Sequence, residues 1–412
     1  SYFVEDSGAK LFLCDPAEVE AVTPIAEATG ASLHSLGAKG DGSFMDLVCT
    51  QSPQSDIATR GASDLAALLY TSGTTGRSKG AMLTQANLLS GAEALVEAWQ
   101  FTDSDVLLHA LPIFHTHGLF VATNTLLLAG GSMIFLPKFD LDTILRLIPK
   151  ATTMMGVPTF YTRLLDDARF TTDLASEMRL FISGSAPLLA ETHVQFEQRT
   201  GHRILERYGM TETNMNTSNP YDGERRAGTV GFALPGVEIK ICDPETGATL
   251  PQGEIGVLEV RGPNVFRGYW NMPEKTREEL REDGFFITGD LALIDADGYI
   301  QIVGRGKDLI ISGGYNIYPK EIELFLDTLP GVRESAVIGA PHPDFGESVV
   351  AVLVPDGDAS IDLDAINAAV RANLAGFKRP RVIEIIDALP RNAMGKVQKN
   401  QLRETFGGVF AG

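Results

Sequence analysis

Cysteine is nearly missing from this 412-residue chain: Cys14, Cys49 and Cys242 are far apart and odd in number. Neither a framework of bridges nor a CxxC metal site follows from them, and a reducing cytoplasm is the expected compartment. Positive charge is also scarce, with 34 Lys+Arg against 53 Asp+Glu and a formal charge of −19. That balance argues against nucleic acid or an anionic membrane as the main partner, while leaving room for a local basic pocket that takes an anionic small molecule. No apolar run approaches the roughly 18 residues that span a bilayer. The opening "SYFVEDSGAK" has no basic-then-apolar signal design. What is present is a chain that is 44% apolar, enough for two or three domains with buried cores.

Short apolar runs alternate with helical patterns through much of the chain. "GGSMIFLP", "TTMMGVP" and "LRLFISG" read as buried strands, each followed by helix-like sequence. Leu88, Ala92, Leu95 and Trp99 mark one face of a helix with Thr84 as its N-cap. The alternation predicts α/β layers with much parallel sheet. From about residue 229 to 306 the texture becomes β-rich. From 307 to 412 the order helix, strand, strand, helix, strand describes a smaller α+β unit. The expected division is therefore a large domain over 1–306 and a small one over 307–412.

The most unusual stretch is "LLYTSGTTGRSKGAMLTQ", Leu68 to Gln85. Its centre is almost all glycine and hydroxyl, ending in a lysine. Thr71, Ser72, Thr74, Thr75 and Ser78 supply hydroxyls, Gly73 and Gly76 allow a tight path, and Lys79 adds charge: the composition of a phosphate cradle. It is not the Walker A form, because Ser78 stands where that motif needs glycine. Two rivals are a nucleophile elbow, since Gly76 to Gly80 fits GxSxG, and a plain turn between strands. An elbow requires a helix after its serine, whereas "AMLT" reads as strand.

At this loop the chain resembles the adenylate-forming enzymes: acyl-CoA synthetases, luciferases and peptide-synthetase adenylation domains. Four more stretches match in the family's order: "YGMTET" (Tyr208 to Thr213), "FFITGD" (Phe285 to Asp290), "GRGKDLIISGGYNIYPKEIE" (Gly304 to Glu323) and "LPRNAMGKVQ" (Leu389 to Gln398). In the family a sizeable segment precedes the part resembling "SYFVEDSGAK", and the chain is expected to lack it.

The resemblance implies ATP, Mg²⁺ and CoA as partners, and a mobile small domain. It places the β- and γ-phosphates in the Thr71–Lys79 loop. Adenine would lie between "SGSAPL", with Ser185, Ala186 and Pro187, and the run Arg207, Tyr208, Gly209, Met210, with Tyr208 as a stacking face; Ser183, at the head of that stretch, would also face the acyl substrate. Thr211 would touch the α-phosphate and Glu212 would ligate Mg²⁺. Asp290 and Arg305 would bind the ribose. Lys396 matches the family's catalytic lysine, an ammonium that reaches the carboxylate and α-phosphate. Lys307 sits at the hinge, whose rotation would exchange Lys396 for Ser312, Gly313, Gly314 and Tyr315 along the pantetheine arm.

The chemistry to be solved is the joining of two anions, so cationic clamping is expected rather than acid–base relay. His115 and His117 lack a third ligand at metal spacing. His115 is read as a wall between acyl and thiol pockets, and His117 as a satisfied scaffold residue. Arg163, in a helix opened by Pro158, and Arg207 are the candidate anchors for a second substrate carboxylate, an idea that narrows the resemblance to malonyl-CoA synthetases. Alternatives are a ligase for another short or aromatic acid, an adenylation module serving a carrier protein, and an inactive shortened relative.

Overall fold

The computed structural model describes residues 1–410 apart from 55, 72–76, 358–360 and 393–394. Contacts divide it into two units: Ser1–Leu88 with Phe266–Leu280, and Leu89–Val265 with Arg281–Gly412.

In the first unit, Leu11–Cys14 pairs in parallel with Ser32–Ser35, and Leu65–Thr71 pairs antiparallel with Lys79–Thr84. Thr71 lies opposite Lys79 in that ladder, so the glycine-rich stretch joins two strands. A strand follows Ser78, which removes the elbow reading. Ser72, Gly73, Thr74, Thr75 and Gly76 lie outside the described residues, and their expected phosphate contacts are not placed. Lys79 is placed, and it is not free. Its Nζ lies 3.3 Å from both carboxylate oxygens of Glu279, 3.1 Å from the Tyr269 hydroxyl and 4.2 Å from that ring's centroid. A carboxylate from the helix Pro273–Glu279 meets its charge in this structure.

Helix Gln85–Trp99 starts where the pattern predicts. The Asn87 N–H donates to Thr84 Oγ1 at 3.2 Å and the Thr84 N–H donates to Asn87 Oδ1 at 2.9 Å, a reciprocal cap.

The second unit holds a seven-stranded sheet. Five of its strands are parallel, in the order Leu205–Tyr208, Leu180–Ser183, Thr153–Gly156, Val106–His109, Ser132–Phe135, the last of them an edge strand that is only partly buried. Ala92, Leu95 and Trp99 are buried as the helical face requires. Trp99 joins a core with Phe170, Phe181 and Phe196, while its indole N–H donates to Ser218 Oγ at 2.8 Å. A four-stranded antiparallel sheet covers Glu238 to Arg305, and in it Asp290 is directly opposite Arg305.

Beyond it, Pro319–Leu326, Val332–His342, Gly346–Pro355, Leu363–Asn373 and Val382–Ile385 follow the helix, strand, strand, helix, strand order read from the sequence. The hairpin Ile310–Ser312/Tyr315–Ile317 and the helix Lys399–Phe406 are additional. Among the described residues no helix is long and apolar enough to cross a membrane.

Candidate active site

Parallel strands deliver their carboxyl ends to one edge of the sheet, and here those ends carry the chemistry. Val106–His109 leads to His115 and His117, Thr153–Gly156 to the helix Pro158–Leu165, and Leu180–Ser183 to Gly184 and Ser185. Arg207 and Tyr208 close the fourth strand. Ser132–Phe135 adds to one side of Val106–His109 and all later parallel strands to the other. A crevice opens at such a reversal.

Arg207 is the central finding. It is only 5% exposed, and its Nε and Nη2 make no hydrogen bond to any described residue. A Cβ on Gly184 would stand 2.3 Å from the guanidinium carbon, so a side chain here would displace the Arg207 head group. Burial pulls the Arg207 pKa down to about 9, with Tyr161 opposing, which still leaves a cation at neutral pH. Ser183 Oγ and His117 Nε2 are also buried without a partner among the described residues. Arg163 differs: it is exposed on its helix, with its guanidinium 5.8 Å from the Phe139 ring centroid. Of the two candidate anchors, one is buried.

The histidines are held by their neighbours. The His117 backbone N–H donates to His115 Nδ1 at 3.1 Å, and His117 Nδ1 lies 3.1 Å from Ser185 Oγ. Ser185 has φ 69, a left-handed conformation unusual for serine. His117 is thus held at one ring nitrogen, while the other has no partner among the described residues. A third histidine escaped the sequence reading: His109, buried, with Nε2 3.0 Å from the Gly118 carbonyl. The chain then takes a π-helical turn over His117–Ala122, a geometry that often marks functional positions. Among the described residues no three His, Cys, Asp or Glu side chains gather as metal ligands.

Burial, with Arg207 and Lys396 adding to it, lowers the His115 pKa from 6.5 to about 4. An unfolded histidine takes its proton near 6.5 and the folded one only near 4, so the unfolded chain binds more protons between those values. The stability contribution is therefore whole above pH 6.5 and is lost as the pH falls towards 4. Urea titrations at about pH 7.5 and about pH 5 are expected to show a smaller decline for His115→Gln than for the parent. An equal decline in both proteins would contradict the buried neutral imidazole.

At the other end of the site, Asp290 is 3% exposed and its Oδ1 lies 2.7 Å from Arg305 Nε. The Tyr208 hydroxyl donates to Asp290 Oδ2, and Arg305 Nη1 donates to the Thr288 carbonyl at 3.3 Å. Burial raises the Tyr208 phenol, and the Asp290 charge adds to the rise. Glu212 is buried and Thr211 half-buried at the start of the next segment. Gly209 admits no side chain, because a Cβ would meet the Asn214 carbonyl at 2.0 Å.

Lys396 enters from an exposed loop whose Gly395 passes 3.5 Å from Thr159, measured from an ideal Cβ. Its backbone N–H donates to Asn392 Oδ1 at 2.9 Å. Although water reaches the residue, the dense surroundings lower the ammonium pKa. Arg305 and Lys307 add to that shift, while Asp290 and Asp308 oppose it. His115, Arg207, Arg305, Asp290 and Lys396 therefore share one electrostatic neighbourhood.

Ser312 to Tyr315 form a hairpin tip with Gly313 at φ 57 and Gly314 at φ 84. Tyr315 stacks on Phe377 at 4.6 Å. Ala186 is half-buried and Pro187 exposed after Ser185.

The sequence pattern of the AMP-binding enzymes matches residues 1–270, and that of their C-terminal domain matches 321–396. The malonate–CoA ligase of Arabidopsis thaliana is 38% identical, over 98% of this chain and 71% of its own. A feruloyl-CoA synthase from Amycolatopsis is 37% identical, over 98% and 80%. The ATP-bound crystal structure of MatB from Rhodopseudomonas palustris superposes with a TM-score of 0.97 at 59% identity, covering 99% of this chain and 81% of that one. With its sheets, its motifs and both family patterns in agreement, the chain belongs to the AMP-binding enzymes.

Proposed function

We propose that the chain is an AMP-forming acid–CoA ligase whose preferred acid is malonate. The observation that carries the choice of acid is Arg207, a buried cation whose Nε and Nη2 have no hydrogen-bond partner among the described residues. Burying a cation and an apolar acyl tail together is unfavourable, whereas a second carboxylate turns the same cation into an anchor. That argument favours malonate over the aromatic acid of the feruloyl-CoA synthase. Arg163 would add a second, solvent-reached charge.

In the first step a malonate carboxylate oxygen attacks the α-phosphorus of ATP. The bond from that phosphorus to the bridging oxygen breaks and pyrophosphate leaves. Lys396 lies beside the attacking oxygen, where its ammonium lowers the repulsion between two anions. Asp290 and Arg305 accept and donate at the ribose, and Thr211 faces the α-phosphate. The resemblance alone assigns the Thr71–Lys79 loop to the outer phosphates. Glu212 is a buried oxygen donor of the kind Mg²⁺ takes and would hold that ion beside the nucleotide. That ion would neutralise phosphate charge.

In the second step the CoA sulfur attacks the acyl carbon and AMP leaves with both bonding electrons. Rotation about Lys307 between lobes 1–306 and 307–412 would bring Ser312 to Tyr315 to the pantetheine arm, with His115 between acyl and thiol. The cytoplasm is part of the same proposal, in keeping with three free cysteines.

The test is malonate-dependent release of pyrophosphate, followed by AMP and thioester when CoA is added. Equal turnover of acetate counts against the anchor. Pyrophosphate without a CoA-dependent thioester points to a carrier-protein acceptor, and silence with every acid to an inactive relative.

A further inference from the structure

Between the strands Leu205–Tyr208 and Thr217–Ser218 the chain carries Thr211 and Glu212 without a helix or strand to hold them. It doubles back on itself instead. The Thr213 N–H donates to the Met210 carbonyl at 3.2 Å, and the Asn216 N–H returns to the Tyr208 carbonyl at 3.0 Å. Between them Asn214 takes a left-handed φ of 52, which asparagine tolerates better than most residues. The fit is close, since a Cβ on Gly91 would stand 2.4 Å from Asn214 Nδ2.

Thr213 and Met215 lie fully in the interior, so their carbonyls need donors from the protein. One side chain meets both. Asn264, 2% exposed, donates through Nδ2 to the Thr213 carbonyl at 2.7 Å and to the Met215 carbonyl at 3.0 Å. Asn216 Oδ1 lies 3.2 Å from the same nitrogen. These acceptors fix which way the amide faces, because only its nitrogen carries hydrogens. Asn264 follows the strand Gly256–Arg261, and a Cβ on Gly262 would press on its Oδ1 at 2.5 Å. The turn that bears Glu212 therefore hangs from a single amide, at the carbonyl directly after that carboxylate.

We propose that Asn264 is a positioning residue for adenylation: its amide holds the 210–216 turn so that Glu212 is presented to Mg²⁺ and the nucleotide. The inference rests on the metal role given to Glu212 above and adds the side chain through which the fold enforces it. A residue that only filled space would weaken the folded state and affect both half-reactions alike. A positioning amide acts on the first, because pyrophosphate has departed before the thioester forms.

Purified full chains are tested in two ways. Isothermal titration reads ATP affinity with and without Mg²⁺. Separate assays read malonate-dependent pyrophosphate release, and thioester formation from preformed malonyl-adenylate and CoA. Asn264→Ala is expected to lose about ten-fold of the strengthening that Mg²⁺ gives to ATP binding, the scale of one buried hydrogen bond, while metal-free ATP binds within about two-fold of the parent. Pyrophosphate release at low ATP should fall about as much, with thioester formation changed by less than about two-fold. Asn264→Asp has the same shape but turns a carboxylate on two carbonyls, so it should lose more than Asn264→Ala. Should Asn264→Ala not fold, Asn264→Ser, small and still a donor, decides, with an expected loss of about three-fold. An unchanged Mg²⁺ effect in the variant that folds, or equal loss in both half-reactions, overturns the proposal. So does a parent whose ATP binding ignores Mg²⁺. A parent that binds ATP with Mg²⁺ yet releases no pyrophosphate with malonate counts instead against the ligase reading.

Discussion

Lys396→Ala is expected to lower malonate-dependent pyrophosphate release by about a thousand-fold, the scale seen when one transition-state charge donor is removed. Binding of ATP should hardly change, because the ribose, adenine and triphosphate contacts are assigned to other side chains. The distinction follows from how the lysine is mounted. It sits on an exposed turn, without an ion pair among the described residues, and the Asp290 and Asp308 carboxylates only partly offset the loss of its proton that burial favours. A residue that bound ground-state nucleotide would need a fixed partner.

The lowered ammonium pKa adds a second readout. Adenylation should fail on the alkaline side sooner than for an ordinary lysine, since the charged form is required and burial favours losing the proton. Unaltered pyrophosphate release from Lys396→Ala would remove the residue from the mechanism.

Arg207→Met is expected to lower kcat/KM for malonate by two to three powers of ten while leaving acetate nearly untouched. A buried carboxylate left without its cation loses about 3–5 kcal/mol, and each 1.4 kcal/mol is about ten-fold. Stability should move the other way. Burial already depresses this guanidinium to about 9, so an apolar chain of similar length relieves the folded state, and the melting temperature should hold or rise. Loss of malonate use with gain of stability is a combination that general damage cannot produce. Arg163→Met should shift the malonate-to-acetate ratio in the same sense but by less, because water reaches that side chain. An unchanged ratio in Arg207→Met would falsify the diacid assignment.

Local features of this protein were readable because each depends on neighbours a few residues away. The reciprocal Thr84–Asn87 cap, the buried strands Thr153–Gly156 and Leu180–Ser183, and the α+β order after Pro319 are of that kind, whereas Ser132–Phe135, read as buried, is a partly exposed edge strand. What escaped depends on distant partners. Nothing near Lys79 announces Glu279, two hundred positions later, nor does Asn264 carry any mark of Thr213 and Met215. Arginine letters alone could not tell which of Arg163 and Arg207 turns inward; strand alternation and the bare backbone of Gly184 decide it. The π-helical turn at His117–Ala122 has no periodic signature, and His109 was passed over because its approach to the other histidines is a matter of folding back.

Ser185 sets a conflict that selection cannot resolve by a single exchange. Glycine would relieve the left-handed backbone there, yet it would release the imidazole that the hydroxyl steadies. Alanine would keep the discomfort and forfeit the contact. Thermal robustness and catalytic order are therefore opposed at one position, and a search for hardier forms of this enzyme would find its easiest gain where it could least be used.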